Sequence, residues 1–353
     1  MTGESLRVAV ATPLPEELCE LIHQREPRIH LIRDASLLPT PRWLADFKGD
    51  PSFTRRPQQQ RAFEEILNSA DVLYGIPDMN PALLASTVRA NPQLRWVQAM
   101  SAGAGADVKA AALTHDELER VIFTTSAGVH AGPLAEFAGF GLLAGAKNLP
   151  RLQEDQRARR WPGRWPMNQI SEQTVLVIGL GSIGREVARK LAALGATVTG
   201  TSRRNITIPG VSAVIDPSNE QQMLETIARA DAVVVTLPGT EATNKLLSAK
   251  LLTAAKPGLV VVSVGRGTVI DEEALIAGLG SGHIGFAALD VFASEPLSPD
   301  SPLWDMDNVI VSPHTAANSP HEERLIAELF TDNARRFLDG EPLRNVVNTR
   351  EFY

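Results

Sequence analysis

The chain has 353 residues, 44% of them hydrophobic and 21% charged, with a formal net charge of −7. That length suffices for two domains with separate cores, and the composition is that of a globular protein rather than a disordered one. The acidic balance argues against nucleic acid or an anionic membrane as the main partner. Cys19 is the lone cysteine, which excludes an intramolecular disulfide and a cysteine-built zinc site; no metal is expected. The opening MTGESLRVAV is too short and polar for a secretory signal, and no apolar run approaches a membrane span. The expected location is therefore the cytoplasm.

Residues 6–11 predict a buried strand, followed by a proline-rich turn, a helix over Glu16–Arg25 carrying Cys19 as a packing residue, and a short strand at Ile29–Ile32. Residues 39–57, rich in proline, arginine and polar side chains, predict a long surface loop. A helix over 63–68 and strands at Val72–Tyr74, 96–100 and 121–125 continue the alternation, which predicts a parallel sheet. After the 96–100 strand comes Ser101-Ala102-Gly103-Ala104-Gly105-Ala106-Asp107. Small residues with free N–H groups at a strand end make a nest for a carboxylate, although an empty glycine-rich turn accounts for them equally well.

Residues 133–147 (PLAEFAGFGLLAGAK) predict an apolar helix opening at Pro133, with Glu136 its odd polar member. Residues 157–165 (RARRWPGRW) mix arginine with tryptophan. An RNA-binding patch is one reading of such a run, but an acidic chain without an RNA motif favours an exposed arm or subunit contact. Helix and arm together predict a homodimer.

The most informative stretch is 174–204. Its strand Thr174–Ile178 runs into Gly179, Gly181 and Gly184 in G-x-G-x-x-G spacing. A helix with Val187, Leu191 and Leu194 on one face follows, Gly195 is placed to cap it, and Thr197–Thr201 is a second strand. Gly179 permits the turn, Gly181 lets a pyrophosphate approach the backbone, and Gly184 allows close helix–strand packing. The N–H groups of the first helical turn, at Ser182 and Ile183, and the helix dipole then favour the dinucleotide. The second strand ends in Ser202, Arg203 and Arg204, where an NAD site usually carries Asp or Glu. A hydroxyl and two guanidinium groups suit a 2′-phosphate, so NADP is expected in preference to NAD; the competing reading is a merely solvated strand end.

Strands are predicted again at 232–237, 259–264, 284–291 and 309–312, and a helix at 322–339 is placed to cross back to the first domain. The fold class expected is α/β, two doubly wound parallel-sheet (Rossmann-like) domains. The first is discontinuous, 1–125 and 319–353, around a central dinucleotide-binding domain, 126–318.

Three ionisable residues each follow a strand of the second sheet: Arg266, Glu295 and His314. Ligands of open α/β sheets bind outside the carboxyl ends of the strands, where the glycine turn also lies. His314 suits a general acid and base for a keto/hydroxy pair, Glu295 would favour its charged form and fix its ring, and Arg266 offers a fork for a carboxylate.

The chain resembles the D-isomer-specific 2-hydroxyacid dehydrogenases. The resemblance rests on GLGSIG at 179–184, TLP at 236–238 with Thr243 following, SVGRGTVIDEEAL at 263–275, ALDVFASEPL at 288–297 and SPHTA at 312–316. RWVQAMSAG at 95–103 and SAGVHAGPLAEFA at 126–138 match more loosely. The resemblance implies that Arg266, Glu295 and His314 are the catalytic trio and that Thr236, Pro238, Thr243, Val264, Asp290 and Ala316 lie against the cofactor, Asp290 near the nicotinamide carboxamide. It implies that Ala102 and Gly103 bind the substrate carboxylate, a role that Ala104 and Gly105 fit as well. Arg266 and His314 would also contact substrate. It further implies that the second domain holds the cofactor, that the first closes over it, and that subunits pair through the cofactor domains.

Ser202-Arg203-Arg204 resembles the NADP-preferring branch that includes glyoxylate and hydroxypyruvate reductases. The expected activity is hydride transfer between NADP(H) and a small 2-keto or D-2-hydroxy acid. The alternatives are a same-fold dehydrogenase of another substrate, such as formate or phosphite, and a non-catalytic nucleotide-sensing binding protein. Tyr74, Met100 and Trp304 are candidates for lining the substrate pocket, although each also suits a core.

Overall fold

In the computed structural model, which describes residues 5–352, the apolar runs form strands and most of the stretches between them form helices. The chain divides into two units, Met1–Val129 with Asn318–Tyr353, and His130–Ala317. Residues 126–129 stay with the first unit, where the Ser126 hydroxyl donates to the Ala99 carbonyl (2.9 Å).

The first unit contains β1 (Leu6–Val10), α1 (Glu16–Arg25), β2 (Ile29–Ile32), α2 (Pro57–Asn68), β3 (Val72–Tyr74), α3 (Pro81–Ala90), β4 (Trp96–Gln98), α4 (Gly105–Ala110), α5 (His115–Arg120) and β5 (Ile122–Thr124). All five strands are parallel, in the order β2-β1-β3-β4-β5. Helices on both faces bury β3 and β4 completely, which is why their residues read as unbroken apolar runs. Tyr74 and Met100 belong to this core: both are buried, and Tyr74 meets the Phe330 ring edge-on at 5.0 Å. Of the two readings the sequence left for them, the core one describes both. Cys19 is buried on α1, and burial pushes its thiol up from the usual value.

Residues 39–57 contain no regular helix before α2, which begins at Pro57, six residues earlier than the apolar pattern suggested. Proline fits that first helical position because its missing N–H has no partner there anyway. Two carboxylates pin the loop. Asp46 accepts from Arg42 Nε (2.7 Å) and from the Gly49 N–H (3.0 Å). Asp78 takes both arms of Arg55, whose guanidinium lies 3.8 Å from the Phe63 ring centre.

The Arg42 hydrogen bond holds the Asp46 carboxyl at about 2, against an ordinary 3.8. A depressed carboxylate stabilises the fold fully above its unfolded value and loses that contribution as pH falls through its folded value. Asp46→Asn is therefore expected to cost about 1–2 kcal/mol at neutral pH. The difference in thermal unfolding midpoint should shrink between about pH 4 and pH 2. Calorimetry at both ends checks this, and a difference of equal size at pH 2 would reject it.

The second unit contains α6 (Ala131–Ala146), α7 (Leu149–Arg157), β6 (Thr174–Ile178), α8 (Ser182–Ala193), β7 (Thr197–Thr201), β8 (Ala213–Ile215), α9 (Glu220–Ile227), β9 (Ala232–Val235), α10 (Ala249–Ala254), β10 (Leu259–Ser263), α11 (Glu272–Ser281), β11 (Ile284–Leu289) and β12 (Val309–Val311). The seven strands are parallel, in the order β12-β11-β10-β9-β6-β7-β8. The chain leaves β6 toward β7 and β8, then returns to the other side at β9. The switch point thus lies between β6 and β9, where open sheets bind ligands.

Alternation along β6 serves two cores: Val175 and Val177 face α6 and α8, whereas Leu176 and Ile178 join residues of α9, α10 and α11. On α8, Val187, Ala188 and Leu191 are buried, but Leu194 is 48% exposed, contrary to the predicted face. The helix ends at Ala193, so Leu194 lies past its last turn as the capping residue, and Gly195 at φ +87° turns the chain next. Helix α6 begins at Ala131, so Pro133 falls within its first turn instead of opening it.

The last helix, α12 (Glu322–Leu338), belongs to the first unit, where Glu328 accepts from Arg25 of α1 (2.9 Å). Among the described residues, no helix is long and apolar enough to cross a membrane.

Candidate active site

The glycine turn is built by its neighbours. Gly179 stands at φ +103°, its N–H donates to Thr201 Oγ1 (2.9 Å), and its carbonyl accepts from Thr236 Oγ1 (2.7 Å). Thr201 was not singled out in the sequence, and Thr236 only as a cofactor contact. A Cβ at Gly184 would overlap the Gly179 carbonyl oxygen, which makes glycine obligatory there. A Cβ at Gly181 would meet nothing within 4 Å. Gly181 therefore leaves an open cradle directly before the N–H groups of Ser182, Ile183 and Gly184 at the head of α8. That arrangement fits a dinucleotide pyrophosphate.

Because the strands are parallel, their carboxyl ends share this edge. Ser202, Arg203 and Arg204 follow β7; both arginines are exposed, and Ser202 Oγ accepts from the Arg204 N–H (3.0 Å). Thr236 and Pro238 follow β9, and Thr243 Oγ1 donates to the Pro238 carbonyl (2.7 Å). Val264 is buried at the end of β10, its N–H donating to Val235 O (3.0 Å).

Asp290, just past β11, is 1% exposed. One of its oxygens accepts from Ser312 Oγ (2.5 Å) and from the N–H groups of Thr315 (2.9 Å) and Ala316 (3.0 Å). It thereby ties the β11 end to the turn carrying His314, itself at φ +53°. Sequence reasoning missed this clamp. Its sign in the sequence is only that Ser312 and Asp290 both stand directly after a strand.

His314 Nδ1 lies 2.6 Å from Glu295 Oε2, and Glu295 Oε1 accepts from the Phe292 N–H (3.0 Å). Burial pushes the Glu295 carboxyl upward, but the His314 hydrogen bond, the Phe292 N–H and the charges of His314 and Arg266 outweigh it, leaving the group below the usual carboxylate range. Glu295 is thus held as an anion against the ring. Arg266 is exposed beyond β10, with Nη1 donating to the Gly265 carbonyl (2.8 Å).

In the first unit, Ala102 and Gly103 are exposed in the turn after β4, whereas Ala104 and Gly105 are buried. Trp304, of the second unit, is 51% exposed and donates its indole N–H to Ser298 O (2.9 Å).

A parallel sheet with a glycine cradle at its switch point and a histidine–carboxylate pair at the same edge defines a dinucleotide-binding α/β protein equipped for proton transfer. Residues 140–316 match the family model of the D-isomer specific 2-hydroxyacid dehydrogenase NAD binding domain. A D-isomer specific 2-hydroxyacid dehydrogenase from Xanthobacter autotrophicus, solved with NADPH and MES, is 30% identical, with a TM-score of 0.75 over 99% of this chain and 100% of that one. An NADPH-dependent glyoxylate/hydroxypyruvate reductase from Sinorhizobium meliloti, solved with NADP and sulfate, is 27% identical, with a TM-score of 0.74 over 99% and 100%. A glyoxylate reductase of Korarchaeum cryptofilum is 28% identical over 92% of this chain and 96% of its own. The chain spans only 42% of the length of the Mycobacterium bovis D-3-phosphoglycerate dehydrogenase, which it matches at 33% identity over 65% of itself. The chain belongs to the D-isomer specific 2-hydroxyacid dehydrogenase family, and its second unit is the nicotinamide dinucleotide domain.

Proposed function

We propose that this chain is an NADP(H)-dependent reductase of small 2-keto acids of the glyoxylate and hydroxypyruvate kind, acting in reverse on D-2-hydroxy acids. The observation that carries the reading is the 2.6 Å His314–Glu295 pair at the edge that holds the glycine cradle. The bound cofactor supplies the hydride. With Nδ1 engaged by Glu295, the exchangeable proton of His314 is the one on Nε2, which passes to the keto oxygen as general acid and returns to the ring in the oxidation.

Arg266 pairs with the substrate carboxylate and stabilises charge developing on the neighbouring oxygen. The family resemblance assigns a carboxylate-binding role to Ala102 and Gly103, and in the first unit both are exposed whereas Ala104 and Gly105 are buried. Ser182, Ile183, Thr236, Pro238, Thr243, Val264, Asp290 and Ala316 line the dinucleotide, and Arg203 and Arg204 hold its 2′-phosphate. NADPH-bound and NADP-bound neighbours support that cofactor. The same reading has the protein working in the cytoplasm.

NADPH and NADH consumption with glyoxylate, hydroxypyruvate and phenylpyruvate tests the reading. Cofactor binding without turnover of any of them would point to a sensor instead.

A homodimer is part of the proposal. On α6, Phe140 and Leu143 are 49% and 39% exposed, and Trp161 is fully exposed on the stretch after α7. Apolar and aromatic surface of this kind is enriched at subunit contacts. Sedimentation at micromolar concentration should find two chains per particle, and a monomer would reject it.

A further inference from the structure

Glu272 opens α11 and would ordinarily be read as an acid favouring the positive end of a helix dipole. Its side chain does something more specific. Glu272 Oε2 accepts the backbone N–H of Ala293 at 2.8 Å, across 21 residues of chain. The preceding N–H, of Phe292, is the one that Glu295 Oε1 accepts at 3.0 Å. Two carboxylates therefore grip two successive peptide N–H groups, and one of the two, Glu295, is the partner of His314.

The same peptide is held from a third side. A Cβ at Gly267 would overlap the Phe292 carbonyl carbon and oxygen, so the residue after Arg266 packs directly on the Phe292 backbone. Arg266 itself adds to the charges that keep Glu295 ionised. The turn bearing Arg266 and the loop bearing Glu295 thus meet at one peptide, and Glu272 locks that peptide in place.

We infer that Glu272 is a positioning residue for the Glu295–His314 pair, acting through its hydrogen bond to the Ala293 N–H. The inference rests on the acid–base role proposed for that pair. A loop freed at Ala293 lets Glu295 drift from the ring, and a carboxylate at greater distance favours the charged imidazole less. Glu295, on the β11 loop, is the carboxylate hydrogen-bonded to the ring, and Arg266 acts on Glu295 from the β10 turn. Asp290 is engaged with the backbone of the His314 turn.

Three variants of the full chain separate this role from a structural one. Glu272→Gln keeps an oxygen that can accept from Ala293. Glu272→Asp keeps the charge on the first turn of α11 but withdraws it by one methylene. Glu272→Ala removes both. The first readout is the ring signal of His314 followed by NMR against pH without cofactor, assigned by its loss in His314→Ala. The second is the pH profile of kcat/KM for glyoxylate with NADPH.

Glu272→Asp and Glu272→Ala should move the ring titration and the high-pH limb of reduction to lower pH, in the direction that Glu295→Gln moves them. Glu272→Gln should stay close to wild type. In the Glu295→Gln background Glu272→Ala should add no further movement, because the coupled partner is already gone. Binding of NADPH should change less than about twofold, since the glycine cradle is separate. Loss of thermal stability in Glu272→Asp or Glu272→Ala with the ring titration unmoved would overturn the inference. A ring titration that moves in a chain unable to reduce glyoxylate would instead overturn the proposed reaction and leave the positioning role standing.

Discussion

His314→Ala is expected to lower kcat for 2-keto acid reduction by about 10²–10⁴-fold, the usual contribution of a positioned general acid. Affinity for NADPH should change little, because the cradle at Gly179, Gly181 and Gly184 follows β6, four strands along the sheet from β12 and the turn that carries His314. Glu295→Gln probes the other half of the pair. Its carboxyl lies below the usual carboxylate range, so it stands against the ring as an anion. The glutamine keeps the shape and removes the counter-charge, and the ring then gives up its proton at lower pH. Reduction consumes the protonated ring, so the high-pH limb of its kcat/KM profile should move to lower pH. Oxidation needs the neutral ring, so its low-pH limb should move the same way. Stopped-flow and steady-state profiles in both directions check this. Near-normal turnover in His314→Ala would remove the mechanism, and limbs that stay put in Glu295→Gln would remove Glu295 from it.

Much of the fold was legible because parallel strands covered on both faces leave uninterrupted apolar runs. Thr174–Ile178 and Thr197–Thr201 read to the residue, since the glycine turn and Gly195 punctuate them. Less legible were strand ends such as that of β4, where Met100 is buried but lies beyond the last paired residue. Burial and ladder pairing are different conditions, and an apolar pattern reports only the first. The three-residue edge strand β8 is too short and too exposed to give a pattern. Composition marked residues 39–57 as a loop, but not that Asp78, 23 residues away, anchors Arg55.

The site divides along the same line. That Arg266, Glu295 and His314 follow strands could be read from the apolar runs before them, since a parallel sheet delivers every strand end to one edge. The groups that orient them could not. Asp290 closes on Ser312 across 22 residues, and the Gly179 N–H reaches Thr201 across the same number. Such bonds depend on register between neighbouring strands, which no local pattern encodes. Asp290 illustrates the difference: the family resemblance assigns it to the nicotinamide, whereas its contacts within the chain organise the His314 turn.

Arg203→Ala/Arg204→Ala is expected to abolish preference for NADPH. Both arginines are exposed just past β7, beside the strand that leads into the glycine cradle. A 2′-phosphate there gains charge-assisted hydrogen bonds, each worth about 1.5–3 kcal/mol. Losing two should raise KM for NADPH by about 10²-fold or more, the lower bound corresponding to about 3 kcal/mol. NADH has a hydroxyl in place of the phosphate, so its KM should stay within a few-fold. Added salt should weaken NADPH binding in wild type more than in the double variant, because the guanidinium–phosphate attraction is solvent-exposed and screened. Two results would each defeat the assignment: a wild-type enzyme that already prefers NADH, or a double variant that keeps the wild-type ratio of the two KM values. The second would mean that the arginines are only the solvated end of a strand and that the 2′-phosphate, if bound, is held elsewhere.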